Sequence, residues 1–399
     1  MKQTLLVITT FLFILSLGLL AQQQTADGGT IIAGTTLSYT HGSADLLVYK
    51  LDAAGNKLWR KNYGGGDGDY YSRVIQTSDG GYAVCGQSYS YTHGSSDFLI
   101  YKLDASGAKL WRKNYGGSGH ENCINVVQTS DGGYALSGYG DSFTHGMMDL
   151  LVYKLDASGA KLWRKNYGGS DYESRGYIIQ TSDGGYVLCG RANDGMDADF
   201  VVFRLDASGT KQWRKYYGGV GYETATVVRQ TADGGYMVGG YGNSYATASS
   251  SGRLKFVSDD FLVYKLDASG AKEWRKNYGG TDTEHLYDLY LTDDGGYILF
   301  GDSSSYNYSG TDYDFLIYKL DASGAKEWRK NYGGEYGEYG WMAFPLAGGG
   351  YLLFGDTDSY VHGTPGDDQD LLVYKVDAAG GKQWRKNYGG SEIEWVVPK

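Results

Sequence analysis

The chain has 399 residues, a formal charge of −10, and unusually many glycines (63) and tyrosines (39). Because nucleic acids and anionic membranes are themselves negatively charged, this acidic balance argues against both as partners. The 3 cysteines are too few for a framework of disulfide bonds. We expect Cys85, Cys123 and Cys189 to be buried thiols, and a Cys85–Cys123 bridge is the alternative.

Residues 1–21 are predicted to be a secretory signal peptide. Lys2 supplies the positive amino end, and residues 5–20 form an uncharged apolar run that is short for a membrane span. Cleavage after Ala21 would leave one domain, 22–399, in the periplasm or outside the cell, with no membrane span. An uncleaved N-terminal anchor is the alternative interpretation.

The remaining sequence repeats one pattern of about 50 residues seven times. In each unit an Asp-Gly-Gly turn between β-rich residues predicts a hairpin, whose strands we name A and B. A run that is apolar on both faces, such as 97–104, predicts a buried strand C. After a turn such as Asp104-Ala-Ser-Gly107, a Lys- and Arg-studded strand D suits an outer edge.

Four short antiparallel strands in about 52 residues match one blade of a β-propeller. One tryptophan recurs in every strand D, at spacings of 50 to 61 residues, and the longest spacing reflects an insertion at 246–259. The sequence therefore predicts an all-β, seven-bladed β-propeller. Its strand D tryptophans are Trp59, Trp111, Trp163, Trp213, Trp274, Trp328 and Trp384.

The two ends of the repeat region complement each other. The first unit lacks a strand A, whereas the final residues have the spacing of a strand A with nothing after it. We therefore expect 392–398 to join 26–65 in one closing blade, so that neither end of the ring exposes an open sheet.

The Gly-Gly-Tyr, Asp-x-x-x-x-Lys-Leu-Asp and Trp-x-x-x-Tyr-Gly-Gly segments resemble those of secreted bacterial β-propeller repeat proteins. More distantly, Asp104…Gly107-x-x-x-Trp111 is similar to the blade-docking motif of quinoprotein-like propellers, with one residue fewer between Asp and Gly. The vicinal cysteine pair typical of quinoprotein dehydrogenases is absent from the sequence, and no cofactor is expected. The resemblance implies a fold more than a function, because propellers host both enzymes and binding modules.

An acidic residue stands at the predicted start of every strand A, where it would ring one mouth of the central channel. Seven inward carboxylates would repel one another unless a cation or hydrogen bonds neutralised them. A site on the axis is one interpretation; hydrogen bonding to the backbone is favoured, because the residue recurs in every unit. The ring consists of Asp69, Glu121, Glu173, Glu223, Glu284, Glu338 and Glu394.

The histidines do not predict a metal site. Those of the B–C loops lie on different blades, too far apart to share one ion, and are interpreted as surface turn residues. They are His41, His93, His145 and His362. His120 and His285 stand beside the acidic ring and are better ligand candidates. No catalytic residue is predicted, because the sequence lacks the nucleophile and zinc-hydrolase motifs.

The D–A loops and the starts of strands A differ between repeats, whereas the frame of strands B, C and D hardly changes. Together with the B–C loops they would form one face rich in aromatic rings and carboxylates, which suits sugars or proteins. The alternative is that these rings only fill the channel mouth. The candidate ligand-binding residues are His120, Tyr172, Tyr222, His285, Tyr339, Trp341 and Trp395. Arg253, Lys255 and Phe256 of the insertion are a further possible contact.

These features predict a secreted or periplasmic, monomeric binding or scaffold protein without catalytic activity, whose ligand is a carbohydrate or a protein. One alternative is a polysaccharide lyase or glycosidase that uses carboxylates at the channel mouth. Another is a structural component of a surface layer.

Overall fold

The seven repeats form seven antiparallel sheets, which follow one another in chain order; six have four strands, and the first has five because both β1 and β29 pair with β2. The computed structural model describes residues 23–37, 40–193, 197–245, 258–307, 312–346, 348–361, 369–388 and 394–395, with residues 23, 24, 394 and 395 described by their backbone alone. These ranges contain strands and turns but no helix, so they include no helix that could cross a membrane. The predicted seven-bladed β-propeller is confirmed. The predicted signal peptide lies outside these ranges.

The blades are assembled from 29 strands. Blades 1 and 2 contain β1 (Gln23–Gln24), β2 (Thr30–Thr36), β3 (Asp45–Leu51), β4 (Lys57–Tyr63), β5 (Asp69–Gln76), β6 (Tyr82–Ser88), β7 (Asp97–Leu103) and β8 (Lys109–Tyr115). Blades 3 and 4 contain β9 (Glu121–Gln128), β10 (Tyr134–Gly140), β11 (Asp149–Leu155), β12 (Lys161–Tyr167), β13 (Tyr172–Gln180), β14 (Tyr186–Asn193), β15 (Ala198–Leu205) and β16 (Lys211–Tyr217).

The other three blades follow the same order. Blades 5 and 6 contain β17 (Glu223–Gln230), β18 (Tyr236–Gly242), β19 (Asp260–Leu266), β20 (Lys272–Tyr278), β21 (Glu284–Leu291), β22 (Tyr297–Ser303), β23 (Asp314–Leu320) and β24 (Lys326–Tyr332). Blade 7 contains β25 (Glu338–Pro345), β26 (Tyr351–Thr357), β27 (Asp370–Val376) and β28 (Lys382–Tyr388), and β29 (Glu394–Trp395) returns to blade 1.

Strands A are innermost, since each contacts the strands A of the neighbouring blades. Strand C is sandwiched between blades, and all seven residues of Asp97–Leu103 are buried, as the apolar pattern predicts. Strand D is the outer edge, and in Lys109–Tyr115 the charged residues are exposed or half-buried. The binary pattern of each strand therefore matches its distance from the axis.

The Asp-Gly-Gly turns fold as predicted, and one lysine ties each of several turns to strand C. In blade 2, Gly80 adopts φ 80°, which a residue with a Cβ rarely tolerates. Asp79 Oδ1 accepts hydrogen bonds from the N–H of Gly81 at 3.0 Å and from Lys102 Nζ at 3.1 Å. The ammonium group thereby neutralises the turn carboxylate beneath the sheet.

Neighbouring blades dock through the tryptophan and tyrosine of strand D. A Cβ added to Gly107 in blade 2 would lie 2.9 Å from the Trp59 ring of blade 1, so only glycine fits beneath that ring. Tyr63 of the same strand D donates its hydroxyl to the Gly107 carbonyl at 2.5 Å. Equivalent tyrosine–glycine bonds recur between all successive blades.

The same contacts close the ring. Tyr388 of blade 7 donates to the carbonyl of Gly55 in blade 1 at 2.7 Å, across 333 residues of chain. The C-terminal strand β29 pairs with β2, with Trp395 opposite Thr35, which confirms the predicted closure for residues 394–395. The N-terminal strand β1 pairs with the other end of β2, with Gln23 opposite Ile31. Both chain ends therefore share the innermost position of blade 1, a detail that the sequence did not indicate.

The three cysteines are free and fully buried. Burial raises the pKa of the Cys123 thiol, and the adjacent Cys85 raises it further. Such thiols are protonated and poorly nucleophilic at neutral pH. The prediction of buried thiols is therefore confirmed, and the alternative Cys85–Cys123 bridge is not formed.

Candidate functional site

The carboxylates of the predicted acidic ring, apart from Glu394 whose side chain is not described, lie buried where the D–A loops enter strand A, each no more than 2% exposed. Each accepts a hydrogen bond from the backbone N–H of the glycine four residues earlier; the Glu284–Gly280 distance is 2.8 Å. Glu284 also accepts from the Ser303 hydroxyl at 2.7 Å. These carboxylates brace their own loops, and they are not presented to a ligand in the channel.

Each ring carboxylate has a second carboxylate beside it, contributed by strand C of the preceding blade. A Cβ added to Gly116 would lie 2.1 Å from Asp97 Oδ1 and 2.5 Å from Glu121 Oε2, so the two groups flank the same point. We call Asp97 and Glu121, and their counterparts in other blades, the carboxyl pairs. Burial, with a smaller contribution from a nearby negative charge, raises the pKa of four ring members: Asp69, Glu173, Glu284 and Glu338.

The histidines of the B–C loops serve the strand C aspartates in blades 1 to 3. His93 Nδ1 lies 2.6 Å from Asp97 Oδ2, and Asn114 Nδ2 donates to the same oxygen at 3.0 Å. His41 and His145 repeat this arrangement in their own blades. The imidazoles are 57–65% exposed and do not meet one another. His362, the fourth histidine of this set, lies outside the described residues.

Three candidate ligand-binding residues precede the ring carboxylate in sequence and lie on the outer part of the D–A loops. His120 is exposed, Tyr172 is half-buried, and Tyr222 is 48% exposed. Each forms a single β-bridge with the residue directly before the strand C aspartate of the preceding blade. The structure therefore brings the two sets of loops onto one face, but it does not gather these three side chains into one site.

The residue that follows the ring carboxylate points elsewhere, toward the channel mouth, and pairs across the sheet with a variable residue of strand B. In blade 6 this pair is His285 opposite Asp302, and in blade 7 it is Tyr339 opposite Asp356. In blade 3 the equivalent pair is Asn122 opposite Tyr139. Two of the candidate residues, His285 and Tyr339, therefore occupy positions where every blade can present a different chemistry.

A β-bulge in each complete strand A re-aims one further side chain. The register of the A–B pairing shifts between Leu286 and Asp288 in blade 6, and between Gly340 and Met342 in blade 7. The extra residues are Tyr287 and Trp341. Because a bulge leaves its residue unpaired and turns it out of the regular alternation, it is suited to presenting a functional group.

These residues form one aromatic cluster over blades 5 to 7. The ring centroids of Tyr287 and Trp341 are 4.6 Å apart, and those of His285 and Tyr241 are also 4.6 Å apart. His285 stacks on Tyr313 at 5.8 Å. All members are half-buried, so each ring keeps an accessible part. The aromatic cluster consists of Tyr241, His285, Tyr287, Tyr313, Tyr339 and Trp341.

Carboxylates fix the polar edges of the aromatic cluster. Trp341 Nε1 donates to Asp356 Oδ2 at 2.7 Å, which fixes the indole in place. His285 lies between two carboxylates, with Nδ1 3.2 Å from Asp302 and Nε2 3.7 Å from Asp259. Burial alone would lower the pKa of His285, but these carboxylates raise it to about 10. Burial raises the pKa of Asp302, although His285 opposes that rise.

Blade 4 contributes a strained residue at the edge of the aromatic cluster. Among the described residues, Arg175 is the only one other than glycine with a positive φ, 75°. Its Nη2 donates to the Tyr241 hydroxyl at 3.3 Å. Left-handed backbone in a bulky residue costs of order 1–3 kcal/mol and is found mainly at functional sites. The guanidinium therefore adds a positive group beside the rings of blades 5 to 7.

Several members of this site were absent from the sequence prediction. Tyr241 and Asp302 belong to strand B, which reads as part of the constant frame, and Tyr287 depends on a bulge that the sequence does not reveal. One signal was available: the residue after the strand B glycine changes from Gln87 to Tyr139 to Asp302 between blades. Trp395 was predicted to belong here, but its side chain is not described; the insertion residues Arg253, Lys255 and Phe256 lie outside the described residues.

Within the described part of the chain, no group of three or more His, Cys, Asp or Glu side chains is arranged to hold a metal ion. The only histidine of the aromatic cluster is already engaged by two aspartates. The arrangement offers a set of half-buried rings with carboxylate, imidazole and guanidinium groups at their edges.

Comparison with known proteins supports the propeller fold and assigns no family. No family model matches the chain, and no curated protein matches its sequence. Among solved structures it is similar to puromycin hydrolase, with a TM-score of 0.55 and 10% identity over 96% of this chain and 54% of that one, so it spans about half of that enzyme's length.

Two other solved structures show a comparable likeness. One is a mutant of the Synechocystis apocarotenoid oxygenase, with a TM-score of 0.51 and 9% identity over 92% of this chain and 91% of that one. Another is a protein of unknown function from Bacteroides caccae, with a TM-score of 0.46 and 12% identity over 76% of this chain and 94% of that one. At identities this low, the two structures with TM-scores above 0.5 show a likeness of fold alone.

Proposed function

We propose that this chain is a secreted or periplasmic binding protein that holds a carbohydrate in the aromatic cluster of blades 5 to 7. The observation that carries the proposal is the convergence of six aromatic or imidazole rings across three blades. The two bulge residues at its centre, Tyr287 and Trp341, lie 4.6 Å apart. Ring-rich concave surfaces with few, well-placed polar groups are typical of small-ligand sites.

The chemistry of the site favours a sugar. Half-buried aromatic faces pack against the apolar C–H faces of pyranose rings, and polar groups at the ring edges bind hydroxyls. Asp356 is held by the Trp341 indole, and Arg175 is held by Tyr241, so both polar groups are already oriented. Pre-oriented groups lower the ordering cost of binding.

Export supports the same proposal, because soluble glycans are most accessible outside the cytoplasm. Residues 1–21 have the charge and apolar run of a secretory signal. The acidic surface also disfavours polyanionic partners such as nucleic acids.

One observation favours an enzyme as the second candidate. Asp302 is 2% exposed at its side chain and Asp259 is 26% exposed, so His285 lies between two carboxylates in unlike environments. Unlike carboxylates are what acid–base cleavage of a glycosidic bond requires. However, the His285 pKa of about 10 is far from neutral, where proton transfer is most efficient. The geometry therefore supports binding more than catalysis.

A glycan array probed with the mature chain would identify the ligand, and calorimetry with the best oligosaccharide would locate it. We expect Trp341→Ala to raise Kd by about 30-fold, since truncating a central aromatic anchor typically costs about 2 kcal/mol. The matched control is Ile124→Ala, the same bulge position in blade 3, which should leave Kd unchanged.

Three results would count against the proposal. No glycan binding on the array would refute the carbohydrate ligand. Equal effects of Trp341→Ala and Ile124→Ala would refute the location. Release of new reducing ends or unsaturated products from a bound glycan, abolished by Asp302→Asn, would replace the binding role with the enzymatic one.

A further inference from the structure

The central channel contains a second cluster of polar side chains, at a different level of strand A from the aromatic cluster. It joins side chains of blades 2, 4, 5 and 6 near the axis. All are nearly inaccessible, with 7% of Arg73, 7% of Arg229 and 1% of Asp288 exposed. The axial cluster consists of Arg73, Tyr177, Arg229, Asp288 and Tyr290.

Arg229 is fully engaged inside this axial cluster. Its Nη2 donates to Asp288 Oδ1 at 2.8 Å, and its Nη1 donates to the Tyr177 hydroxyl at 2.8 Å and to the Val228 carbonyl at 3.0 Å. Arg229 and Asp288 are therefore a hydrogen-bonded buried ion pair, the arrangement in which burying two charges is tolerated.

Arg73 has no such partner. Its guanidinium lies 5.1 Å from the Tyr177 ring centroid, but its Nε is buried without a hydrogen-bond acceptor among the described residues. The hydroxyl of Tyr290 is also buried, and it acts as a hydrogen-bonding group on the Asp288 carboxylate, whose pKa burial raises and this contact lowers. Arg73 acts electrostatically on both Asp288 and Tyr290, so these groups share one small volume.

The charges of the axial cluster do not cancel, since two guanidinium groups face one carboxylate. A buried, unneutralised guanidinium is costly, and a buried donor without an acceptor adds to that cost. We propose that a small monovalent anion of the halide type, such as chloride, binds on the propeller axis and accepts a hydrogen bond from Arg73 Nε. This anion would supply the second negative charge that the axial cluster lacks.

Two buried acceptors nearby define the competing arrangement. Asp288 Oδ2 and Asn125 Oδ1 are likewise without hydrogen-bond partners among the described residues. Bridging waters can serve such acceptors and can also receive the Arg73 proton. Water alone, however, leaves the excess positive charge in place. The two arrangements therefore differ in whether a halide occupies the axis.

Anomalous diffraction from crystals soaked in bromide tests this directly, because bromide scatters anomalously and water does not. The proposal predicts one bromide peak on the axis within hydrogen-bonding distance of Arg73 Nε. Crystals that show only water there, or an Arg73 side chain bonded to Asn125 or Asp288, would overturn it.

Thermal unfolding provides a second test in solution. The wild type should have a higher Tm in sodium chloride than in sodium gluconate at the same ionic strength, because an ion that binds only the folded state stabilises it. Arg73→Met should lose this difference, and Arg60→Met, which removes the same charge from an exposed position on strand D, should keep it. Equal Tm values of the wild type in the two salts would contradict the proposal. The outcome is independent of the proposed carbohydrate ligand.

Discussion

Blades 1 to 3 and blades 5 to 7 share one frame and differ in what the frame presents. The tyrosine of strand D donates to the glycine carbonyl of the next blade at 2.5 Å from Tyr63 in blade 1 and at 2.6 Å from Tyr278 in blade 5. At the strand A bulge, by contrast, blades 2 and 3 carry Ser72 and Ile124, whereas blades 6 and 7 carry Tyr287 and Trp341.

Equivalent residues in different blades show at which positions the residue type can change without disturbing the ring. Contacts between blades must be alike, because a closed ring of seven units accumulates any error in the angle between them. The bulge residue and the residue after the ring carboxylate differ in type between blades: the Ser72 hydroxyl donates to the Cys123 carbonyl of the next blade, whereas Tyr287 and Trp341 contribute rings to the aromatic cluster. Differences collect at these positions, and the proposed ligand site is built from them.

The B–C loop histidines vary in a different way, because the residue changes between blades while the contact that it completes is kept. In blades 1 to 3 a B–C loop histidine contacts the strand C aspartate, as His93 contacts Asp97. In blade 5 the backbone of Tyr245 accepts a hydrogen bond from Asn277, which in turn donates to Asp260. The aspartate–asparagine contact is thus kept, and the histidine is one of several ways to complete it.

The largest expected effect tests the uniformity of the frame. Gly116→Ala would place a Cβ between the carboxylates of Asp97 and Glu121, 2.1 and 2.5 Å away, and should cost about 3 kcal/mol of unfolding free energy. Gly279→Ala, the equivalent site between blades 5 and 6, should cost a similar amount. Chemical denaturation measures both values.

Gly66 provides the control for this pair. A Cβ there would meet nothing within 4 Å, so Gly66→Ala should change the unfolding free energy by less than about 0.5 kcal/mol. A large difference between Gly116→Ala and Gly279→Ala would show that the frame is not equivalent on the two sides of the ring.

The next largest effect is expected at the strand A bulge residues, which differ between the two halves of the ring. Replacing both Tyr287 and Trp341 by alanine should weaken binding of the array-identified oligosaccharide by about 100-fold, because the two rings form the centre of the aromatic cluster. Replacing Ser72 and Ile124 by alanine changes the equivalent bulges of blades 2 and 3. That control should bind normally in calorimetry, and weakened binding by the control would remove the distinction between the two halves.

A smaller effect concerns pH and the carboxyl pairs. Burial, assisted by the charge of Asp260, raises the pKa of Glu284 above the ordinary value of 4.5. A raised pKa means that the folded chain binds the proton more tightly than the unfolded chain. This contribution is fully present below pH 4.5 and is lost as pH rises through the folded-state pKa.

Glu284→Gln, which mimics the protonated form, should therefore raise Tm at pH 8 and leave it nearly unchanged at pH 4. Scanning calorimetry at the two pH values measures the difference, and Glu335→Gln, an exposed position in the next D–A loop, is the control. A lower Tm of Glu284→Gln at pH 8 would mean that the hydrogen bonds from Gly280 and Ser303 to the charged carboxylate outweigh the cost of burying its charge.

The smallest effect is expected from the B–C loop histidines. His93 is 60% exposed, and its imidazole contacts Asn114 and a buried carboxylate to which Asn114 also donates. His93→Ala should therefore cost less than about 1 kcal/mol. Denaturation in urea would reveal a larger cost, which would assign the histidines of blades 1 to 3 a role beyond completing the turn.

The fold was predictable because the same pattern of strands and turns recurs seven times in the sequence. The Asp-Gly-Gly turns, the doubly apolar strand C and the tryptophan of strand D each have one structural solution in a blade. The closing contact was predictable from the unmatched ends of the chain. The pairing of Gln23 with Ile31 was not, because a two-residue strand has no pattern to recognise.

The candidate site was only partly predictable. His285, Tyr339 and Trp341 stood out as departures from the repeat, and the structure places all three in the aromatic cluster. His120 and Tyr222 departed from the repeat as well, but the side chain before the ring carboxylate turns away from the axis. Tyr287 depends on a bulge, whose register shift has no signature in a single sequence.

Hydrogen–deuterium exchange with the array-identified oligosaccharide tests most directly whether the ligand binds to the aromatic cluster of blades 5 to 7, since one experiment reports on both halves of the ring. The proposed site in the aromatic cluster predicts that the ligand slows exchange in the strands A of blades 6 and 7, Glu284–Leu291 and Glu338–Pro345, and leaves the strand A of blade 3, Glu121–Gln128, unchanged. Slowed exchange in blade 3 with no change in blades 6 and 7 would contradict it.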